Sequence, residues 1–94
     1  MKQKKEFISA DLYQTSFVSI FLGQFPSFKV ESGKTLFIFP ADAALYKAIN
    51  AYNAGAPVNA FEFAQQIKRL RGEMYARKGA GVNEMEKRNG KENT

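Results

Sequence analysis

The apolar residues are densest at positions 35–39, where the sequence reads TLFIF. β-branched and aromatic side chains fit a pleated surface, so this segment predicts a β-strand. Residues 36–39 are all apolar, which leaves the strand no polar face. A half-exposed strand would instead alternate apolar and polar positions. We therefore predict a strand that is covered on both faces or lies in the centre of its sheet.

The preceding segment predicts a hairpin partner for this strand. In residues 27–31, Phe28 and Val30 alternate with charged side chains, and Ser32 and Gly33 separate the segment from the apolar strand. A glycine between two such runs is typical of a tight β-hairpin turn. A third, shorter run at residues 6–8 predicts a strand whose pairing the sequence leaves open.

The first predicted helix is apolar around most of its circumference. Ser9 or Asp11 provides an N-cap, and Gly23 ends the helix. A helix of this kind is either deeply buried or keeps a second surface for a partner. The apolar side chains that share one helical face are Tyr13, Phe17, Ile20 and Phe21.

Two more helices follow the central strand. Asp42 is the predicted N-cap of the second, whose apolar face is formed by Leu45, Ala48, Ile49 and Tyr52. Asn59 and Glu62 form a capping-box pattern at the start of the third. Its apolar stripe consists of Phe63, Ile67, Leu70 and Met74, and we expect Gly79-Ala80-Gly81 to break it.

These elements define an α+β fold: a small antiparallel sheet of two or three strands, built on a central hairpin and packed with three helices in the order (β)αββαα. With 94 residues, the chain has room for one hydrophobic core. We divide it into a basic N-terminal extension (residues 1–5), a single α+β domain (6–78) and a disordered polar tail (79–94).

The composition removes several chemistries. The chain has no cysteine and no histidine, so disulfides, thiolate chemistry and histidine-based acid–base or metal sites are absent. Asp11, Asp42 and Glu62 are explained as residues favoured at helix starts. We expect no enzyme activity, no cofactor and no metal. Acidic and amide residues interrupt the N-terminal region, so we expect no signal peptide and no membrane partner. A chain without cysteine is compatible with any redox compartment, and a cytoplasmic location is the default expectation.

The net charge of +5 lies at the two ends of the chain. Residues 1–5 carry three lysines and no acid, residues 6–75 carry six basic and six acidic side chains, and residues 76–94 carry five basic and three acidic ones. Residues 6–75 are therefore neutral, which weakens an inference of nucleic-acid binding from the isoelectric point.

The third helix nevertheless carries a basic strip, which we define as Lys68, Arg71, Tyr75 and Lys78. These residues follow an i, i+3, i+7, i+10 spacing and share one side of the helix. Such a strip is suited to phosphate contacts, with Tyr75 as a stacking side chain. The same pattern is typical of a solvated helix flank whose cations complement the helix dipole.

The aromatic residues outnumber what a body of about seventy residues easily buries. We expect most of the nine phenylalanines in the core. Phe25, Phe61 and the uncovered face of residues 36–39 are candidates for a dimer or partner surface. A homodimer through a sheet edge or through the first helix is one such arrangement.

Residues 7–75 resemble a small bacterial family of unknown function. The resemblance rests on the following positions: Phe7, the SADLY segment at residues 9–13, Gly23, LFIF at residues 36–39, Tyr52, Gly55, Val58, Phe63, Leu70 and Tyr75. It implies a compact αββα-like module and transfers no catalytic or binding residue. The long basic tail departs from the family.

The sequence favours a small non-enzymatic protein-interaction module that self-associates or binds another protein. The alternative is a sequence-tolerant nucleic-acid-binding protein that uses the basic strip and the basic tails.

Overall fold

The computed structural model describes residues 5–82, and their side chains up to residue 77. In chain order the elements are strand β1 (Glu6–Ser9), helix α1 (Leu12–Leu22), strand β2 (Ser27–Glu31), strand β3 (Lys34–Pro40), helix α2 (Ala43–Asn53) and helix α3 (Ala60–Val82). The predicted α+β class and the predicted order of elements are both confirmed.

The sheet has three antiparallel strands in the order β1-β3-β2. β1 pairs with β3 from Glu6↔Pro40 to Ser9↔Phe37, and β2 pairs with β3 from Ser27↔Ile38 to Glu31↔Lys34. The apolar strand β3 is therefore the central strand of the sheet. This is one of the two arrangements predicted for it, the other being cover on both faces.

One face of the sheet is covered and the other is open. Thr35, Phe37 and Phe39 are buried on the covered face, while Leu36 and Ile38 are only half-buried on the other. The apolar cluster on the covered side joins the sheet to α1 and α2. Its fully buried members are Val18, Phe39, Leu45 and Ala48.

The predicted helix starts are confirmed by their hydrogen bonds. Asp11 Oδ1 accepts from Gln14 N at 3.0 Å, and Asp42 Oδ1 accepts from Leu45 N at 2.9 Å. Asn59 Oδ1 accepts from Glu62 N at 2.9 Å at the start of α3. Each side chain satisfies a backbone N–H that has no partner within its helix.

The hairpin turn takes the backbone conformation that two-residue connections favour. Ser32 has φ +50° and Gly33 has φ +76°. Positive φ at both central positions matches the right-handed twist of the flanking strands. The predicted hairpin is thus confirmed, with a serine at a position where asparagine and glycine are the preferred residues.

The predicted helix break at Gly79-Ala80-Gly81 was wrong, because α3 continues through these residues to Val82. Glycine in a helix costs about 1 kcal/mol relative to alanine but leaves the backbone N–H in place. A helix already nucleated over five turns therefore extends through isolated glycines. Residues 83–94 of the predicted tail and residues 1–4 of the N-terminal extension lie outside the described residues.

Candidate protein-interaction site

The aromatic side of α1 is partly exposed to solvent. Tyr13 is 52% exposed and Phe21 is 48% exposed, although their spacing with Phe17 and Ile20 is that of a single apolar helix face. Of this stripe, only Phe17 is buried, at 5% exposure. Two rings of this apolar face, Tyr13 and Phe21, thus lie at the protein surface on either side of the buried Phe17.

The inward side of α1 is lined by small, largely polar residues. Thr15, Ser16 and Ser19 are almost completely buried, together with Val18. Ser16 Oγ donates to the Leu12 carbonyl at 2.8 Å, so its hydroxyl is satisfied within the helix. Side chains this small let the backbone of α1 approach both α2 and α3, because the larger rings would hold these helices apart. The stripe of rings is left on the opposite face.

The exposed stripe forms one wall of an open groove between α1 and the start of α3. The groove has a volume of about 210 Å³. Its other wall is the segment that connects α2 to α3. We define the α1 groove by its lining residues, which are Phe17, Ile20, Phe21, Pro57, Val58, Asn59 and Glu62.

Ring stacking fixes the floor of the α1 groove. The Phe17 ring lies between those of Phe21 and Tyr52, with centroid distances of 5.9 Å and 5.5 Å. Aromatic pairs at these distances contribute about 0.5–1.5 kcal/mol beyond their burial. The floor is therefore packed into the fold, while the rim ring of Phe21 remains half open to solvent.

The chemistry of the α1 groove is apolar with a polar end. Asn59 and Glu62 supply the polar atoms of the lining, and the amide oxygen of Asn59 is occupied as the cap of α3. A lining of this kind is mostly apolar with a few polar atoms at one end, as in many binding clefts.

Two arginines of α3 lie outside the basic strip and pack on aromatic rings. The Arg69 guanidinium is 4.9 Å from the Phe25 ring centroid, and that of Arg77 is 4.4 Å from the Phe28 centroid. Arg77 also pairs with Glu73 at 3.0 Å. These two cations hold α3 against β2 and the segment that precedes it.

The basic strip is only partly assembled as a surface. Lys68 and Tyr75 are exposed, the latter at 61%, whereas Arg71 is half-buried. Lys78 belongs to α3, but its side chain lies outside the described residues. The described strip therefore offers two cations and one ring on one side of α3.

Two further apolar surfaces match the sequence expectations. Phe61 is 71% exposed and Phe25 is 39% exposed. Ile8, which is 46% exposed, pairs with Ile38 on the open face of the sheet. The sequence named Phe25, Phe61 and an uncovered face of residues 36–39, but it did not predict that Tyr13 and Phe21 would be exposed.

The sequence signal for this orientation is a helix face of small hydroxyl residues, and the sequence analysis did not use it. Thr15, Ser16 and Ser19 share a face opposite the aromatic stripe. Hydropathy alone gives no reason to bury this face, and the sequence left open which side of the helix packs against the rest of the fold.

Within residues 5–82 no helix combines the length and apolar character needed to cross a membrane. The same part of the chain holds no group of three or more acidic side chains placed to bind a metal ion. Comparison with protein-family models, with curated proteins and with solved structures gave no match. The resemblance to a bacterial family stays a prediction, and the site rests on its geometry.

Proposed function

We propose that this protein is a small, non-enzymatic protein-interaction module that binds an apolar partner segment in the α1 groove. The supporting observation is the outward orientation of the aromatic stripe of α1. Large contiguous apolar patches are uncommon on the surface of globular domains, and where they occur they typically mark interaction sites. Aromatic side chains, phenylalanine included, are also enriched at the buried cores of protein interfaces.

The shape of the α1 groove favours a segment with apolar side chains at helical spacing. A shallow apolar channel between two helices takes the apolar face of an amphipathic helix, with anchors at i, i+3 or i+4 and i+7. Phe21 forms the open rim, while Phe17 is the fixed floor. Binding through such contacts depends on burial of apolar surface and is only weakly sensitive to salt.

Selection from a displayed library of amphipathic helical peptides tests this proposal. Selected peptides should bind the full chain with dissociation constants that differ less than about threefold between ~50 mM and ~500 mM salt, because no charge pair carries the contact. Phe21→Ser should weaken binding at least tenfold. Tyr75→Ser is the matched control, since Tyr75 is also an exposed ring but lies 13 residues beyond Glu62 of the groove.

Failure of the selection, or peptides that bind the Phe21→Ser variant as tightly as the unmodified chain, would contradict the proposal. Circular dichroism and thermal melts of both variants separate a lost site from a lost fold.

A second candidate function is sequence-tolerant nucleic-acid binding through the basic strip and the basic tails. Lys68 and Tyr75 support it, because they are exposed on the same side of α3. Arg69 and Arg77 already contact rings, which leaves Lys68 and Arg71 as the described cations of the strip. Two phosphate contacts on duplex DNA correspond to a log–log salt slope of roughly −2.

Fluorescence anisotropy of labelled mixed-sequence DNA and RNA against rising salt tests the second candidate. Binding whose salt slope becomes shallower by about 2 in the variant that combines Lys68→Ala with Arg71→Ala would support it. Lys47→Ala, a change of an exposed lysine on α2, is the control that should leave the slope unchanged. Absence of binding at low salt would exclude the strip as a phosphate site.

A further inference from the structure

One side of α3 carries two exposed aromatic rings. Phe61 is 71% exposed and Tyr75 is 61% exposed. Fourteen positions separate them, so they lie about 21 Å apart along the helix and project within about 40° of each other. We define the outer face of α3 by the exposed residues on this side, which are Phe61, Ala64, Gln65, Lys68, Gly72 and Tyr75.

The charge on the outer face is positive. Lys68 lies between the two rings, and Arg71 lies at the edge of the face, half-buried and without an ion-pair partner among the described residues. The acidic residues of α3, Glu62 and Glu73, project more than about 100° away from Lys68. Glu73 is moreover paired with Arg77. The outer face therefore presents positive charge between two apolar rings, with no acidic side chain of α3 beside it.

The charge of the whole chain selects the same kind of partner. The chain carries a net charge of +5, which repels a second copy or a basic partner and attracts an acidic one. We infer that the outer face of α3 binds an acidic amphipathic helix of another protein. Its acidic side chains lie opposite Lys68 and Arg71, and its apolar side chains contact Phe61 and Tyr75. This surface is separate from the α1 groove and does not depend on it.

The outer face suits a protein helix better than a nucleic acid. Ala64 and Gly72 put little side chain between the rings, and a Cβ at Gly72 meets no atom within 4 Å. A second helix can therefore lie close along α3, as amphipathic helices do on the surfaces that recognise them. Nucleic-acid affinity depends on many phosphate contacts, and the described part of the strip offers only Lys68 and Arg71.

The size of the outer face predicts a transient complex. A contact strip about 21 Å long and about one helix diameter (~10 Å) wide is smaller than a standard interface, which buries about 800 Å² on each partner. We therefore expect a dissociation constant in the micromolar range, with apolar contacts at the rings and charge pairs that set the orientation of the partner helix.

A displayed library of helical peptides, with glutamate, lysine, leucine and serine varied along the helix, tests the inference. Selection on the full chain is followed by counter-selection on its Lys68→Glu variant. Surviving peptides should combine glutamate and leucine on one helix face. Their dissociation constants should rise at least about fivefold with Phe61→Ser and at least about fivefold between ~50 mM and ~500 mM salt. Lys47→Glu makes the same charge change at an exposed lysine of α2 and should alter them less than about threefold.

If no peptide survives the counter-selection, the inference is overturned. Equal losses from Lys68→Glu and Lys47→Glu would overturn it as well, because net charge and not the outer face would then attract the peptides. Labelled mixed-sequence DNA or RNA that binds through Lys68, while Phe61→Ser has no effect on any ligand, would identify a phosphate site instead. Circular dichroism of each variant confirms that it is folded. Peptides of the α1 groove depend on Phe21 and are removed by the counter-selection, so failure at one surface leaves the other standing.

Discussion

The side-chain amide of Gln66 donates a hydrogen bond from Nε2 to Ser19 Oγ at 2.7 Å, and so joins α3 to α1 across 47 positions of sequence. The Ser19 hydroxyl in turn donates to the Gln24 carbonyl at 2.9 Å, and Arg69 Nη1 donates to Gln66 Oε1 at 3.2 Å. This chain of bonds fixes the end of α1 against α3. It thereby sets the position of the rings that form the α1 groove.

Gln66→Ala should therefore destabilise the protein by about 1 kcal/mol, because it removes the buried hydrogen bond between Gln66 and Ser19. Urea denaturation followed by circular dichroism measures the change. Gln65→Ala is the matched control on the same helix; its side chain is exposed, and the expected effect is within about 0.5 kcal/mol. Equal effects of the two changes would show that the buried network contributes little.

The glycines at positions 33 and 72 should respond to alanine in opposite directions. A Cβ at either position meets no atom within 4 Å, so crowding affects neither substitution. Gly33 has φ +76° in the hairpin turn, so Gly33→Ala should cost about 1 kcal/mol in backbone strain. Gly72 lies inside α3 with helical backbone, and Gly72→Ala should stabilise by about 0.5–1 kcal/mol.

Thermal or urea denaturation of the two variants measures this difference. Each variant serves as the control for the other, because the chemical change is identical and only the backbone conformation differs. A stabilised Gly33→Ala variant would show that the turn adopts a different conformation from the one described.

Thr35→Val should stabilise the protein by about 1 kcal/mol. The Thr35 side chain is buried on the covered face of β3, and among the described residues its Oγ1 has no hydrogen-bond partner. Valine has nearly the same shape and removes the cost of burying an unpaired hydroxyl. Thr35→Ser keeps the hydroxyl but loses the methyl group, so it should destabilise. Urea denaturation of the three proteins should therefore give the highest free energy of unfolding for valine at position 35, an intermediate value for threonine and the lowest for serine.

Phe21→Ser should separate stability from binding. The ring is half-exposed, so its removal should cost less than the roughly 3–5 kcal/mol typical of a fully buried phenylalanine. Phe17→Ser should cost more, because Phe17 is buried at 5% exposure between two rings. Comparison of the two melting temperatures checks which ring belongs to the core. If Phe21→Ser lowered the melting temperature more than Phe17→Ser did, the Phe21 ring would belong to the core and not to the surface.

Much of the secondary structure followed from local sequence. Asp11, Asp42 and Asn59 were predicted helix starts, and each side chain accepts the expected backbone N–H. The turn at Ser32 and Gly33 was equally evident. These features depend on a few neighbouring residues, and the energies involved are local, so a single sequence reveals them.

The candidate site was predictable only in part. The exposure of Phe25 and Phe61 was expected from the excess of aromatic residues, but the orientation of α1 was not. The aromatic stripe and the stripe of Thr15, Ser16 and Ser19 are both regular helix faces. Which of them packs against α2 and α3 depends on the space left between those helices.

By itself, then, the sequence of this protein determined its element types, their order and the helix caps, whereas the pairing of β1 with β3, which makes β3 central, came from the tertiary structure. Only the tertiary structure decided that the small polar face of α1 is buried and its aromatic face is exposed. The physical reason is that a cap or a turn is satisfied within a few residues. The burial of a helix face instead depends on how closely three elements distant in sequence can approach, and here the small side chains allow the closer packing.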